Sequence, residues 1–529
     1  MLRITLCQLS MVAVDPDLIE LEATSFERHV PELLPRLVRV EELRAMFPSQ
    51  EGAPSRCPLQ MMAMLLLQFR YDLSERELYR RCIRDLGFRY ALGLQPGSKP
   101  PTPRTLRRFR QRMVAAKGDD FLLHLSLRLA REEHLIDDVA LQALDSTNTD
   151  CRGAIVDSYN LVAAGIRQVV RHVARCLGVR PHEMAKRWDL SRYMARSIKG
   201  AAAIDWSDEG QRNALLTQEV ADADRVARTV DELAKTLTLP DEVVEAARLL
   251  ARVARQDVEQ LDDGTFRIAR GTAEGRIISV TDPEARHGHK SQSKRINGFK
   301  THAMATVESQ FVTGIAITDA ATHDAQPTMT LIKQAEANDV KPDETVGDAA
   351  YGTGANLRAC THHGVQMHTK VAQPSSRGAI PKHDFDINLE AMTVTCPEGQ
   401  TTAHYTLVQV GDGNSARVPQ FRFARHVCQL CERKSCCCSQ TAKGGKRVIK
   451  LNEFEHELQD NRAFSQTVRG KDVLRSRSAI ERLLSHLVKM GMRHARFFSI
   501  KRVQFQAYMV AAVYNLQRLI TLRVQTANT

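Results

Sequence analysis

The stretch TVGDAAYGTGANLR, residues 345–358, predicts a strand, a turn and the start of a helix. A short apolar run precedes Asp348, and a turn containing Gly352 and Gly354 follows it. Side chains at glycine-flanked turns after strands become exposed, so Asp348 either caps the next helix or points into a cleft. For this carboxylate alone capping is favoured, and other carboxylates in similar positions would favour the cleft.

A second carboxylate follows an apolar run in DDVALQALDSTNT, which predicts a central strand that stops at Asp145. Further strands are predicted in FRIARG, GRIISVTDP, FKTHAMATVES and FVTGIAITDA, since these segments alternate and contain β-branched residues. Successive strands without long helices between them indicate an antiparallel set that begins a mixed sheet. The predicted fold class is therefore α/β.

Helical patterns surround the strands, because apolar residues recur at spacings of three and four. Residues 151–262, between the predicted strands, form a predicted helical insertion. It is acidic, with fifteen acids and seven Lys/Arg between residues 205 and 263, which favours a solvated or partner-contacting face. The four predicted parts are a helical amino-terminal domain at 1–135, the first part of an α/β core at 136–395, a cysteine-rich insertion at 396–440 and the end of that core at 441–529.

The 529-residue chain has a net charge of +12 and a pI near 9.2, which favours a polyanionic partner. Nucleic acid is the first choice and an acidic membrane the second. No apolar run reaches the roughly 18 residues needed to span a bilayer, and the amino terminus lacks a signal-peptide pattern. We therefore expect a cytoplasmic, nucleoid-associated protein that does not enter a membrane.

Two runs of basic residues are candidate phosphate-binding sites. The segment TPRTLRRFRQRM is either a solvated helix face or a helix-turn-helix unit that grips the DNA backbone, and the DNA interpretation is slightly favoured. A second run, over residues 286–300, is equally compatible with a solvated loop and with phosphate binding. The candidate DNA-binding residues in these runs are Arg104, Arg107, Arg108, Arg110, Lys290 and Lys294.

A third candidate carboxylate lies in RSRSAIERLLSHLVKMGMRHARFFSIKR, residues 475–502, where eight Lys/Arg accompany one acid. Helical periodicity places Glu481 at the edge of a buried stripe, with Arg477 one turn earlier. Glu481 is either a salt-bridge partner of Arg477 or a ligand that projects into a cleft. Two-metal phosphodiester cleavage needs two or three converging carboxylates, a role that these acids would suit, although spacing alone does not establish it.

The twelve cysteines are expected to be thiols or metal ligands, because no export signal is present. The segments CPEG, CQLC and SCCC supply thiolates at spacings compatible with a tetrahedral zinc site. The alternative is a set of reduced, partly buried cysteines. The preferred ligands are Cys396, Cys428, Cys431 and Cys436, with Cys437 or Cys438 as a substitute.

The segments ALDSTN, VGDAAYGT and RSRSAIERLLSHLVKMG resemble the three catalytic motifs of DDE transposases from bacterial insertion sequences, enzymes with an RNase H-like core. DPEARHGHK, GFKTHAMAT, PLQMMAMLLLQFRYDLSERELYRRC with TLRRFR, and QFQAYMVAAVYNLQRL add to the resemblance. Their order most resembles the insertion-sequence family numbered eleven-eighty-two, within the group that shares an Arg, three residues and the catalytic Glu. The similarity covers most of residues 45–520, and residues 151–262 are the least similar part.

The resemblance implies a residue-by-residue assignment of the site. Arg477 matches the motif arginine, and Lys489 approximates the motif lysine that contacts DNA near the scissile phosphate. Two positions depart from the pattern: Leu474 replaces the motif tyrosine, and Lys489 lies eight residues after the glutamate instead of seven. The cysteine-rich part resembles the zinc-ribbon-like insertions of similar transposases. The implied ligands of two Mg²⁺ or Mn²⁺ ions are Asp145, Asp348 and Glu481.

The predicted function is a transposase that binds the inverted-repeat ends of its element, cuts there and joins the 3′-OH ends to target DNA. Double-stranded DNA is the expected partner, and coordinated cutting of two ends implies at least a dimer on DNA. A catalytically decayed, DNA-binding copy and an RNase H-like nuclease that never joins strands are the alternatives. His302 is predicted to be a packed strand residue instead of a general base, because two-metal cleavage obtains its nucleophile from the metal.

Overall fold

The central sheet of the protein is mixed and six-stranded. A computed structural model describes residues 21–39, 42–43, 46–47, 55–95, 97–289, 295–370, 380–409, 416–438 and 445–527. Within these residues, β5 pairs antiparallel with β1 on one side, and β4 and β6 pair with successive parts of its other side. Strands β7 and β8 extend the sheet beyond β1 in parallel, which gives the path β6-β5-β1-β7-β8. The strands are β1 (Val139–Asp150), β4 (Arg286–His289), β5 (Arg295–Thr306), β6 (Val312–Asp319), β7 (Lys341–Gly347) and β8 (Gln366–Thr369).

The predicted antiparallel set within a mixed sheet is confirmed, but two strand predictions are wrong in detail. Strand β1 does not stop at Asp145, which lies in its middle. The polar residues that follow continue the ladder with β5, and buried Thr149 contacts the hydroxyl of Thr301. Residues 275–283 form no strand, although Ile277 and Ile278 are buried as their apolar character suggests.

The amino-terminal helices share one hydrophobic core with the sheet and with the carboxy-terminal helices. Local sequence signals set several of their ends. Ser74 caps the first-turn N–H of Glu77, as its capping-box pattern predicts, and Thr102 caps a helix whose first residue is Pro103. These helices are Phe26–Leu37, Pro58–Arg70, Glu75–Arg84, Leu86–Ala91, Pro103–Lys117 and Phe121–Glu132 at the amino end, and Glu455–Gln466, Val468–Ser476, Ser478–Leu487 and Ile500–Ala527 at the carboxy end.

The free edge of β6 is covered by side-chain amides from the helix Ile500–Ala527. Asn515 accepts from the Val312 N–H at 2.8 Å and donates to the Val312 carbonyl at 2.9 Å. Gln504 accepts from the Ile317 N–H at 2.7 Å and donates to the Ile315 carbonyl at 2.8 Å. These bonds occupy backbone groups that an exposed edge would offer to another strand, and they fix the position of the helix along the sheet.

The stretch predicted to be a helical insertion folds around a second, separate hydrophobic core. Two other helices, Thr328–Ala337 and Gly354–His362, lie outside the insertion and precede β7 and β8 in the chain. The insertion contains helices Ser158–Cys176, Pro181–Arg187, Ile198–Ala201, Glu209–Thr236 and Asp241–Gln256, and the hairpin of β2 (Val258–Gln260) and β3 (Phe266–Ile268).

The cysteine-rich part also has its own small core, which includes Phe385, Phe421, Phe423 and Ile449. No helix in the described part of the chain is long and apolar enough to cross a membrane. The small part contains two three-stranded sheets, β9 (Asp386–Asn388), β10 (Thr393–Thr395) and β11 (Thr401–Thr402), and β12 (Tyr405–Gln409), β13 (Arg417–Arg422) and β14 (Val448–Lys450), with helices Arg425–Gln429 and Lys434–Cys437.

Replacement of Asn515, whose amide covers the edge of β6, should destabilise the main hydrophobic core. Asn515→Leu leaves the N–H and carbonyl of Val312 buried without partners, at a cost of about 1–3 kcal/mol for each group. The midpoint of urea unfolding should therefore fall. Lys501→Leu, an exposed change on the same helix, is the control and should leave the midpoint nearly unchanged. Equal midpoints for the two variants would contradict the role of Asn515.

Candidate active site

Asp145 projects from the middle of β1 and is held at both carboxylate oxygens. Its Oδ1 accepts from the backbone N–H of Ser146 at 2.7 Å, and its Oδ2 accepts from Nη1 of Arg477 at 3.1 Å. The side chain is only 15% exposed. Burial and these two donors hold the carboxylate in one orientation.

Asp348 directly follows β7, as predicted, and lies beside Asp145. Ala143 pairs with Val346 in the parallel ladder of β1 and β7. Continuing this register by two residues brings Asp145 and Asp348 opposite each other, on the same face of the sheet. Oδ1 of Asp348 accepts from the Ala350 N–H at 2.9 Å, so each aspartate is oriented by a nearby backbone donor.

Arg477 connects Asp145 to Glu481. It lies between helices Val468–Ser476 and Ser478–Leu487, and the second of these contacts β1 and β5. Nη1 of Arg477 binds Asp145, and Nη2 donates to Oε1 of Glu481 at 2.5 Å. The guanidinium side chain is 18% exposed while Glu481 is 53% exposed, so Glu481 is the solvent-facing member of the group.

The three predicted carboxylates act on one another electrostatically. Burial, together with the negative charges of Asp348 and Glu481, raises the pKa of Asp145 to about 6, although the Ser146 N–H and Arg477 oppose this rise. A carboxyl that is buried beside two other acids binds its proton more tightly because ionisation adds a third negative charge. The structure thus brings Asp145, Asp348 and Glu481 into one acidic cluster.

A buried tyrosine lies under this cluster, a feature that the sequence analysis missed. The hydroxyl of Tyr351 contacts Ser146 and lies 3.4 Å from Nδ1 of His302. Burial and the neighbouring acids raise the pKa of Tyr351 well above its usual value. Burial lowers the pKa of His302 to about 4, and its Nε2 is 3.0 Å from Oγ1 of Thr318. As predicted, His302 is a packed strand residue, and its imidazole is neutral at pH 7.

The donor set of the acidic cluster is compatible with a divalent cation. Carboxylate oxygens are the ligands that Mg²⁺ and Mn²⁺ prefer, and a cation would offset the repulsion that raises the pKa of Asp145. Within the described residues, however, no three His, Cys, Asp or Glu side chains are gathered closely enough to hold a metal ion. Arg477 is the cation that contacts both Asp145 and Glu481.

The predicted DNA-binding arginines divide into two groups. Arg104 and Arg108 are exposed on the helix Pro103–Lys117. Arg107 and Arg110 instead pair with Glu75, at 2.5 and 3.3 Å. The Arg110 side chain is only 15% exposed, and its role in DNA binding stays a prediction.

Lys489 is exposed in a wide turn, Val488–Met492, that follows the helix bearing Glu481. The backbone stays helical from Glu481 through Val488 and leaves the helical range only at Met490 and Gly491, after Lys489. Leu474 is partly buried against the main core. Lys290 and Lys294 lie outside the described residues.

Five cysteines line a cavity of about 430 Å³ in the small part of the chain. They are Cys396, Cys428, Cys431, Cys437 and Cys438. Cys436, a preferred ligand in the sequence analysis, is exposed, and its thiol contacts the carbonyl of Arg433 at 3.2 Å. Successive residues of the short helix Lys434–Cys437 point about 100° apart, so Cys437 faces the cavity where Cys436 cannot.

The proximity of the acids predicts opposite effects of two substitutions on Asp145. In metal-free protein, Glu481→Gln should lower the pKa of Asp145 because a negative charge is lost, and Arg477→Gln should raise it because a positive charge is lost. Carbon-13 NMR of protein labelled at the aspartate carboxyl carbons measures both pKa values, with Asp145→Asn to assign the signal. A pKa that is the same in both variants would contradict the cluster.

Comparisons with known proteins identify transposase domains at both ends of the chain. Residues 395–520, which include Glu481, match the family model described as a transposase DDE domain. Residues 18–112 match the model described as a transposase domain (DUF772). No curated protein and no solved structure matches the chain. The two family matches together support a DDE transposase.

Proposed function

We propose that the protein binds the terminal inverted repeats of its element, cleaves the DNA at these ends and transfers the 3′-OH strands to target DNA. The observation that carries this proposal is that Asp145 on β1 and Asp348 directly after β7 lie at adjacent parallel strands, with Arg477 linking Asp145 to Glu481. The strand path β6-β5-β1-β7-β8 supports an RNase H-like core. The motif order supports the insertion-sequence family numbered eleven-eighty-two, and the protein would act in the cytoplasm on nucleoid DNA.

Asp145, Asp348 and Glu481 would hold two Mg²⁺ or Mn²⁺ ions. Bound ions of this kind activate the nucleophile and stabilise the leaving oxygen in phosphodiester cleavage. The backbone N–H groups of Ser146 and Ala350 hold the Oδ1 atoms of the two aspartates, and this fixes the direction of each carboxylate. With a pKa of about 6, Asp145 is mostly ionised at pH 7 and mostly protonated at pH 5, so cation binding should weaken on acidification.

Two displacements at phosphorus would occur at this cluster. In the first, the oxygen of water bonds to phosphorus while the bond from phosphorus to the 3′ oxygen breaks, and that oxygen takes a proton to become the 3′-OH. In the second, the 3′-OH of the element bonds to a target phosphorus, loses its proton and releases a target 3′-OH. Arg477 is a positioning residue here, since it holds Asp145 and Glu481 together.

The amino-terminal helices would supply recognition of the element ends. Arg104 and Arg108 are exposed and suited to backbone phosphate contacts, while Lys489 lies in the turn after the helix of Glu481. Two ends must be cut in coordination, so we propose that at least two copies act together on double-stranded DNA.

Asp348→Asn should abolish cleavage and leave binding to the ends nearly intact. Loss of a metal ligand should cost more than about 100-fold in rate, because even a second-shell partner costs 10–100-fold. The assay incubates the protein with Mg²⁺ and a supercoiled plasmid that carries the element's flanking ends, and joined and excised products are scored. Asp343→Asn, an exposed change in β7, the strand that precedes Asp348, is the control.

Each outcome separates the proposed function from its alternatives. Joined products from the parent and from Asp343→Asn, but not from Asp348→Asn, support the transposase. Cut ends that are never joined favour a nuclease, and binding without cleavage favours a decayed, DNA-binding copy. Cleavage by Asp348→Asn at the parent's rate would contradict the proposed metal site.

A structural Zn²⁺ is proposed for the cysteine-lined cavity, with four of its five thiolates as ligands. As the described thiols stand, no three of them are gathered closely enough to hold a metal ion, so binding would draw the ligands together. Cys437 and Cys438 are close enough to Cys428 for their charges to affect one another, which supports this donor set. Cys428→Ala should lose the one zinc that a tetrahedral site holds, whereas Cys436→Ala should retain it. Elemental analysis of protein purified under reducing conditions measures both, and zinc loss from Cys436→Ala alone would contradict the assignment.

A further inference from the structure

A basic groove lies in the helical insertion, although the insertion is acidic in composition over residues 205–263. The groove has a volume of about 820 Å³. The basic side chains that line it come from the helix Ser158–Cys176 and from the loop before helix Ile198–Ala201: Arg167, Arg171, His172, Arg175 and Arg196. The acidic residues of the insertion are therefore segregated from one concentrated positive surface.

The arginines of the groove have no acidic ion-pair partner among the residues that the structure describes. Among the described residues, no ion pair involves Arg171, Arg175 or Arg196, and no Asp or Glu lines the groove. Arg167 donates to the carbonyl oxygens of Tyr193 and Ala195, and burial together with the charge of Arg171 lowers its pKa. The exposed arginine charges of the groove are thus screened by solvent instead of by ion pairs with described carboxylates, while Glu242 acts electrostatically on His172.

The spacing of these residues makes the groove complementary to a line of negative charge. Arg167, Arg171 and Arg175 are four residues apart, so they lie along one helix face at intervals of about 6 Å. Like charges at this spacing repel one another by roughly 0.2–0.5 kcal/mol per pair, and a polyanion relieves that repulsion. Arginine forks also bind phosphate oxygens in pairs, which a single ion pair with lysine does not achieve.

The groove lies where the insertion leaves and rejoins the central sheet. Ala154 and Val156, shortly after β1, line one side, and residues 279–281 line another. Strand β1 runs from Asp145 to Asp150 towards this junction, a distance of roughly 17 Å for five residues. One turn of duplex DNA spans about 34–36 Å. One turn of duplex DNA is therefore about twice as long as this part of β1.

We propose that this groove binds the phosphate backbone of the duplex on which the enzyme acts, within about one helical turn of the acidic cluster. The inference rests on the proposed function, because it takes the DNA held at Asp145 and Asp348 as its ligand. The contacts are to phosphates and carry no base specificity. The insertion thereby increases the affinity for the duplex and fixes its orientation, while the amino-terminal helices select the sequence.

The test compares two triple variants of the full-length protein. The groove variant is Arg171→Ala with Arg175→Ala and Arg196→Ala. The control variant is Arg180→Ala with Arg228→Ala and Arg248→Ala, three exposed arginines of the same insertion outside the groove. Both lose three positive charges, so a difference between them reports the position of the charge and not the net charge. Circular dichroism and thermal melting verify that both are folded.

Binding is measured by fluorescence anisotropy in EDTA, between about 50 and 200 mM salt. The probe is a duplex of about 40 base pairs, roughly four helical turns, that carries the element's flanking end. The groove variant should bind at least about tenfold more weakly than the parent, and the slope of log K against log salt should fall by about 0.9 for each lost contact. The control variant should stay within about twofold of the parent. Replacement of the same three groove residues by lysine should restore most of the slope.

The outcomes separate the groove from the proposed function. Equal affinities and salt slopes for the two triple variants would overturn the groove as a DNA site, even if the parent cuts and joins the ends. A parent that binds the duplex through the groove but never cleaves it would overturn the proposed function and leave the groove standing. A parent that binds no duplex DNA overturns both.

Discussion

The carboxy-terminal helix, Ile500–Ala527, holds the main core of this protein together. It contacts the helices Pro58–Arg70 and Phe121–Glu132 on one side and β6 on the other. Its amides from Asn515 and Gln504 occupy the backbone groups at the edge of β6, where an unpaired strand would otherwise expose them. The amino-terminal helices consequently belong to the same core as the sheet, and end recognition and chemistry are proposed for two faces of one rigid unit.

Arg477 offsets part of the negative charge of the acidic cluster. Three carboxylates in a partly buried place repel one another, and this repulsion adds to burial in raising the pKa of Asp145. The guanidinium bonds Asp145 and Glu481 at once, so it offsets part of the repulsion and orients both side chains. The motif arginine has a structural role here that follows from the contacts of its two Nη atoms.

Local patterns were sufficient for much of the fold and for the identity of the candidate acids. Alternation and β-branched residues predicted β5, β6 and β7, and the turn after β7 predicted the position of Asp348. Helical periodicity placed Glu481 one turn after Arg477, and the capping signal at Ser74 was correct. These signals are local because helix and strand periods depend on neighbouring residues only. The extent of β1 was mispredicted, since the polar residues after Asp145 form strand only through pairing with β5.

By itself, the sequence predicted the α/β class, the helical character of residues 1–135 and 151–262, several strands of the central sheet, and the candidate residues Asp145, Asp348 and Glu481. The tertiary structure alone decided which side chains meet. Arg110 pairs with Glu75 instead of facing solvent, Cys437 replaces Cys436 at the cavity, and Arg196 joins a groove built mainly by another helix. Contacts of this kind join residues that are distant in sequence or depend on the phase of a short helix, and they are settled by packing, which no local period encodes.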